Sequence, residues 1–225
     1  MDLLQQTDAI FFDKTGLDLA RTQKIVSDAL ASGDDGELFL EMRHSEMLMF
    51  DDGRLKTASY DQSSGFGLRA VAGDAHGYAH AGELSESALK RAVDSVSAVT
   101  KGYHGQAALA PAAGSNAPLY SGDNPLSHTS FETKIKLLQE INSYARAADS
   151  RVKQVNASLA GSWQAVQIMR ADGTRMADIR PLVRINVWVA VEENGRMESG
   201  GAGAGGRVML DQWLSPESWQ SQVDE

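Results

Sequence analysis

Between positions 183 and 191 an apolar residue recurs at every second position. The set is Val183, Ile185, Val187, Val189 and Val191. Successive side chains of a β-strand point to opposite faces, so this spacing predicts a strand with one buried face. The dipeptides Asp172-Gly173 and Asn194-Gly195 lie on either side of it and are typical of tight hairpin turns. This part of the chain is therefore predicted to form antiparallel sheet.

Further strand signals lie on both sides of a central break in the pattern. The predicted strands are 37–43, 65–72, 78–81, 152–159, 163–170, 174–179 and 207–210, and Asp52-Gly53 is a further hairpin signal. Helical spacing covers 17–31, 85–100 and 129–150, while 1–15 is ambiguous apart from an apolar anchor at 10–12. Ser85 is the predicted N-cap of the second helix, and Thr129 and Glu132 have the spacing of a capping box for the third.

These elements predict an α+β fold with mixed or antiparallel sheets and packed helices, in two subdomains. The first subdomain is 1–104, a helix, a strand meander and a second helix. Glycine, alanine and proline replace the periodic pattern over 105–128, which we interpret as a linker. The second subdomain is 129–225, a helix plus antiparallel sheet, and we expect it to be incomplete at its C-terminus.

Composition excludes several function classes. The 225 residues carry 21 Lys and Arg against 30 Asp and Glu, for a net charge of -9. Affinity for nucleic acid depends on cationic side chains, so we expect no nucleic-acid partner. There is no cysteine and hence no thiolate metal site. No stretch has the roughly 20 apolar residues of a membrane helix and the N-terminus lacks a secretory pattern, so we expect a cytoplasmic protein without membrane contact.

The histidines do not form a metal-binding motif. His76 and His80 are four residues apart, but the pattern around them predicts a turn and a strand. Four strand residues span about 13 Å, too far for two ligands of one ion. Neither H-E-x-x-H nor H-E-x-x-x-H occurs in the chain. The sequence therefore predicts no catalytic residue and no metal-ligating residue here.

A run of glycines between 200 and 206 contains the pattern G-x-G-x-x-G. That pattern binds a dinucleotide when it opens a helix, whereas 207–210 is predicted to be a strand. We interpret the run as a loop that lets another chain pass close by. The candidate peptide-contacting residues are Gly200, Gly201, Gly203, Gly205 and Gly206. An extended peptide along such a sheet edge would add a strand to it.

The segment from Asp52 to Leu89 carries a family resemblance. Its blocks DGR-K-ASYD, GFGLRAVAG and GYAHAGELSE-AL resemble the N-terminal domain of the TldD/PmbA zinc metalloproteases, and the similarity extends from about Gly16 to Arg207. The resemblance implies zinc-dependent hydrolysis of peptide bonds in unstructured polypeptides. It also implies a partner, either a second copy or a PmbA-like subunit. In the family the zinc motif, H-E-x-x-x-H, belongs to a C-terminal domain, and this chain lacks it.

Two functions remain open at this point. The first is an N-terminal portion of a TldD-like protease that serves assembly and substrate access and binds no zinc itself. The second is a stand-alone, non-catalytic module that binds a protein partner. Trp213 and Trp219 lie in a polar C-terminal segment with little to bury them against, so they indicate a missing partner surface. Substrate identity, oligomeric state and sheet order are not predicted.

Overall fold

The computed structural model describes residues 2–105 and 119–225. Within these ranges it contains five α-helices, six β-strands and one 3₁₀ helix. The helices are α1 (Leu3–Phe11), α2 (Leu19–Leu30), α3 (Glu86–Thr100), α4 (Phe131–Ala148) and α5 (Pro216–Asp224), and the 3₁₀ helix is Leu210–Trp213. The strands are β1 (Asp35–Asp51), β2 (Arg54–Ala72), β3 (Ala75–Ala81), β4 (Val152–Arg170), β5 (Arg175–Glu193) and β6 (Arg196–Gly206).

The six strands form one sheet in the order β3-β2-β1-β4-β5-β6. β3 pairs antiparallel with β2, and β6 pairs antiparallel with β5. All three predicted turn dipeptides connect consecutive strands, and their glycines have the positive φ that glycine adopts without strain: 73° at Gly53, 83° at Gly173 and 81° at Gly195. The predicted α+β class with an antiparallel sheet and packed helices is confirmed.

Several predicted strands are parts of longer ones. The predicted strand 37–43 continues to Asp51, and 152–159 and 163–170 are one strand, β4. Strand 65–72 begins earlier, at Arg54, and both faces of its first ten residues are exposed. Alternation of apolar residues reveals only the half-buried part of a strand, whereas backbone pairing continues through residues whose side chains face solvent.

The described residues form two compact units. The described parts of Met1–Arg43, Ser63–Leu119 and Gln164–Ile179 make the first, and His44–Gln62, Tyr120–Trp163 and Arg180–Glu225 make the second. The linear division into 1–104 and 129–225 stays a prediction. Of the predicted linker 105–128, residues 106–118 lie outside the described residues.

In the first unit, helices α2 and α3 pack together and α3 covers β3. A Cβ atom at Gly77 on β3 would lie 3.0 Å from a methyl group of Val99, so glycine allows α3 to approach this strand. Ser85 caps α3 as predicted, because its side chain accepts a hydrogen bond from the amide of Ala88 at 3.2 Å. The ambiguous N-terminus forms helix α1, and Phe11 from the predicted anchor is fully buried.

In the second unit, α4, α5 and the 3₁₀ helix supply the apolar residues that cover one face of the strands. The buried cluster consists of Leu48, Phe50, Leu137, Leu138, Ile141, Ala157, Leu159, Val183, Ile185, Val187, Leu210 and Trp219. The predicted buried face of β5 is therefore confirmed, since Val183, Ile185 and Val187 are all buried.

Two predictions for this unit, an N-cap and a strand, are wrong. The N-cap of α4 is Ser130, whose side chain accepts from the amide of Thr133, and not Thr129. Thr129 is buried, so the neighbouring serine serves as the cap. The predicted strand 207–210 is absent as well. Residues 207–209 instead lead into the 3₁₀ helix, because Leu210 leaves the sheet and packs into the buried cluster.

Candidate peptide-binding edge

The candidate site is the hairpin of β5 and β6 in the second unit. The turn residues Asn194 and Gly195 have φ values of 54° and 81°, so the hairpin turn uses left-handed backbone that suits asparagine and glycine. From that turn the strands pair residue by residue as far as Val183 opposite Gly206. Every candidate glycine between 200 and 206 lies in β6. The predicted loop is therefore wrong in its secondary structure, because backbone pairing with β5 keeps this glycine-rich segment extended.

The outward face of this hairpin pairs large side chains on β5 with glycines on β6. Trp188 lies opposite Gly201, Asn186 opposite Gly203, and Arg184 opposite Gly205. A Cβ atom on Gly201 would lie 3.0 Å from Cδ1 of Trp188, and one on Gly203 would lie 2.5 Å from Oδ1 of Asn186. The β5 side chains thus occupy the space beside β6, and glycine is needed there for steric reasons.

The opposite face of the hairpin belongs to the buried core. Val187 is buried opposite Ala202, and Ile185 is buried opposite Ala204. Small side chains on β6 leave room for α5, which contacts this strand. A groove at this contact is lined by Val189, Ala202 and the end of α5. The two faces of β6 therefore differ: one packs under a helix and the other carries no side chain at three alternate positions.

Among the described residues β6 is the last strand of the sheet, so none of them pairs with its outer edge. Within the described residues, no backbone hydrogen bond joins β6 to any segment except β5. Residues 196–201 at the start of the strand are exposed. Unpaired N–H and C=O groups along an edge can accept another strand, and proteins commonly block such edges with charged side chains or proline. Between 199 and 206 this edge has neither.

The polar side chains of the outward face are linked to one another. Arg184 Nε donates to Oδ1 of Asn186 at 2.7 Å, and Nδ2 of Asn186 donates to Oγ of Ser158 at 3.3 Å. Arg184 is exposed, and no carboxylate among the described residues pairs with it. Trp188 is 40% exposed. This face therefore offers a solvent-accessible guanidinium and a solvent-accessible indole.

At the other side of β6, a phenol and a carboxylate hold the end of α5. The hydroxyl of Tyr144 on α4 donates to Oδ1 of Asp224 at 3.0 Å. This hydrogen bond, with a smaller contribution from burial, raises the pKa of Tyr144. Tyr144 also packs edge-on against Trp219, with ring centroids 5.7 Å apart. The helix that covers the inner face of β6 is thus anchored by polar and aromatic contacts.

The two C-terminal tryptophans pack within the second unit. Trp219 is only 2% exposed in the buried cluster, and Trp213 packs against that cluster. The expectation that they lack a burial site is wrong, because the 3₁₀ helix and α5 fold back onto α4 and β5. That fold-back requires contacts between residues far apart in the chain, which local polarity does not reveal.

The histidines are not gathered into a metal site. His76 and His80 lie on strand β3, and His80 stacks on Tyr78 with ring centroids 5.8 Å apart. His44 lies on β1 beside Tyr60 and Trp163, and burial lowers its pKa. Over residues 2–105 and 119–225 there is no group of three or more His, Cys, Asp or Glu side chains that could hold a metal ion. The described residues therefore do not fit a zinc ion.

Sequence analysis overlooked the outward side chains of β5. The signal was present, since Arg184, Asn186 and Trp188 occupy the positions between the buried valines and isoleucine. What the sequence did not reveal is the pairing of each with a glycine on β6, because that depends on the register of the hairpin.

Two family models match consecutive regions of this chain. Residues 36–100 match the family model described as PmbA/TldA metallopeptidase domain 1, and residues 124–224 match the PmbA/TldA metallopeptidase central domain. The metalloprotease TldD homologue of Haemophilus influenzae is 38% identical over 180 residues, which is 79% of this chain and 37% of that protein. The TldD homologue of Buchnera aphidicola from Acyrthosiphon pisum is 30% identical over 192 residues, covering 84% and 39%.

A solved structure has the same fold. The crystal structure of TldE from Thermococcus kodakarensis matches with a TM-score of 0.71 at 12% identity, over 90% of this chain and 45% of that one. The chain thus has the fold and two of the domains of a class of metallopeptidases. It belongs to the TldD/PmbA family, as the resemblance implied, and it spans less than half the length of the relatives it matches. Within its described part, no helix is long and apolar enough to cross a membrane.

Proposed function

We propose that this chain supplies the non-catalytic N-terminal portion of a zinc-dependent protease acting on unstructured polypeptides, with a role in assembly and in guiding substrate. The family match to domain 1 and the central domain supports the N-terminal position. In this proposal the catalytic zinc of the whole protein lies in a region outside these two domains. The described residues then carry out no catalytic step. The proposed location is the cytoplasm.

The observation that carries the proposal is the open edge of β6, formed by Gly200, Gly201, Gly203, Gly205 and Gly206 with the alanines between them. A peptide that pairs with an edge strand is held mainly by main-chain hydrogen bonds. Main-chain recognition tolerates many sequences, provided that the peptide is unfolded. An open edge therefore suits the unstructured polypeptides that the family resemblance implies as substrates.

The test is peptide titration of the isotopically labelled chain, followed by NMR. An unfolded peptide in excess is expected to shift and protect the backbone amides of 200–206 and of the paired β5 residues. The same peptide with N-methylated alternate amides cannot donate those hydrogen bonds and serves as the matched control. If the unmodified peptide leaves these amides unmoved, the proposed substrate contact is wrong.

The proposed partner is a second copy of the chain or a PmbA-like subunit. The structural relative TldE and the TldD homologues support this proposal only by family membership. Sedimentation of the chain alone tests for a complex of two copies. Sedimentation of the chain mixed with a PmbA-like protein tests for a complex with that subunit.

The stand-alone interaction module remains a second candidate, and the burial of Trp219 favours it. A C-terminal segment that closes onto its own core is compatible with independent folding. Light scattering distinguishes the candidates: a self-sufficient module gives a single monomeric or dimeric species, whereas a portion that needs further domains aggregates.

A further inference from the structure

The outward face of the β5–β6 hairpin carries chemistry beyond main-chain pairing. Glycine at 201, 203 and 205 leaves β6 without side chains on this face, so the nearest side chains to an added strand belong to β5. In order along β5 these are Arg184, Asn186 and Trp188. The following inference rests on the proposed pairing of a peptide with β6.

A peptide paired with β6 would lie two inter-strand spacings from β5, or about 10 Å. Large side chains on both strands can meet across that distance when the strand between them has only glycine. The indole of Trp188 already lies beside Gly201, with Cδ1 3.0 Å from the position of a Cβ atom there. The middle strand is therefore no barrier to contact between peptide side chains and those of β5.

The two ends of this series of β5 residues, Trp188 and Arg184, favour different side chains of the peptide. Trp188 is 40% exposed, and an aromatic ring of the peptide could pack against it. Arg184 has a guanidinium whose Nε is held by Asn186, while no carboxylate among the described residues neutralises it. An acidic side chain would supply the missing opposite charge. The glycines opposite these two residues, Gly201 and Gly205, are four residues apart, so both contacts fall on the same face of an added strand.

We propose that the β6 edge selects extended peptides in which an aromatic and an acidic residue lie four positions apart, the aromatic against Trp188 and the acid paired with Arg184. The order of the two residues depends on strand direction. A peptide antiparallel to β6 has the acid first, and a parallel peptide has the aromatic first, because β6 runs from Gly201 to Gly205. The preferred order therefore reports the orientation of the bound strand.

The test compares capped nine-residue peptides made of threonine and serine with one aspartate and one phenylalanine. Two peptides place these residues four apart, in either order. Two controls of the same composition place them three apart, which puts the side chains on opposite faces of a strand. One four-spaced peptide is expected to bind about tenfold more tightly than both controls and to shift the amides of 200–206.

Variants of β5 assign the two contacts. Arg184→Gln is expected to reduce binding about threefold for the aspartate peptide and not for its asparagine analogue. Trp188→Leu, which keeps apolar bulk for folding, is expected to remove most of the gain from phenylalanine over threonine. Arg54→Gln, which removes an exposed arginine elsewhere in the same unit, is the matched control and is expected to leave both preferences unchanged.

The outcomes separate the two proposals. Equal affinity of the four-spaced and three-spaced peptides, with the β6 amides still shifted, would overturn the side-chain preference and leave main-chain pairing in place. Failure of all four peptides to shift those amides would overturn both. An unchanged preference in Arg184→Gln and Trp188→Leu would also overturn the assignment of the contacts.

Discussion

At the scale of single residues, the glycines of β6 are not equivalent. A Cβ atom on Gly205 would lie 2.3 Å from the carbonyl oxygen of Val183, a backbone atom that cannot move without disturbing the sheet. Gly200 has nothing within 4 Å of the same position. Both glycines look alike in the sequence, and only the strand pairing distinguishes them.

Gly205→Ala is expected to destabilise the chain by about 2 kcal/mol, because the new methyl group overlaps backbone and forces β5 and β6 apart. Gly200→Ala is the matched control and is expected to be neutral or slightly stabilising, since alanine restricts the unfolded chain. Urea denaturation of both variants measures the difference. Equal stability of the two would show that the hairpin is not packed as closely as described.

A second residue-scale feature is the pair of Asp149 and Arg151. Arg151 Nη2 lies 2.7 Å from Oδ2 of Asp149, and the amide of Arg151 donates to Oδ1 at 2.8 Å. The side-chain hydrogen bond, followed by the backbone one, lowers the pKa of Asp149 from 3.8 to about 2. A lowered pKa in the folded state stabilises the fold above pH 3.8, and this stabilisation is lost as the pH falls through about 2.

Arg151→Gln is expected to raise the pKa of Asp149 from about 2 towards 3.8, because the side-chain hydrogen bond from Arg151 is the main cause of the lowered pKa. The remaining amide hydrogen bond keeps the value somewhat below normal. A ¹³C NMR titration of the carboxyl group measures the pKa directly. An unchanged value in the variant would assign the shift to the backbone alone.

At the scale of elements, a buried ion pair holds α4 in place. Nζ of Lys134 lies 2.6 Å from Oε2 of Glu46 on β1 and also donates to the carbonyl of Leu126 at 2.9 Å. The side chains are only 3% and 16% exposed. The helix is therefore joined both to the sheet of its unit and to the segment that precedes it.

Lys134→Met is expected to cost about 3 kcal/mol of stability, because it leaves the carboxylate of Glu46 buried without its cation. Lys136→Met, two residues along the same helix, removes a 75%-exposed lysine and is expected to change stability by less than about 0.5 kcal/mol. Replacing Lys134 and Glu46 together by methionine is expected to recover most of the loss. Thermal unfolding of the three variants is the measurement, and equal effects of the two single changes would contradict it.

At the scale of the whole molecule, two compact units share four long strands, since β1, β2, β4 and β5 each contribute residues to both. Neither unit gathers metal ligands among its described residues. The fold is that of domain 1 and the central domain of a metallopeptidase family. A metallopeptidase also needs several donor side chains that bind one metal ion together.

The purified chain is expected to retain less than stoichiometric zinc after equilibration with the metal and desalting, because its described side chains provide no closed set of three or more donors. Elemental analysis beside a zinc protein of known stoichiometry measures this. One tightly held zinc per chain would contradict the proposed division between this portion and a catalytic region elsewhere.

Much of the fold could be predicted from local patterns. The buried face of β5, the three glycine turns and the N-cap at Ser85 all depend on residues within a few positions of one another. Their physical causes are the two-residue period of a strand, the left-handed backbone of glycine and the capping of free amides. The family resemblance came from the segment Asp52 to Leu89, which contains one of these turns and the N-cap Ser85.

The sequence by itself therefore determined which residues turn the chain, which face of β5 is buried and which family the chain resembles. Only the tertiary structure decided that the glycine run is an edge strand, that Arg184 and Trp188 face it, and that Trp219 is buried. These features depend on hairpin register and on contacts between segments distant in the chain. A strand edge and its neighbours are properties of pairing, and pairing is chosen by the free energy of the whole packed core rather than by any local stretch.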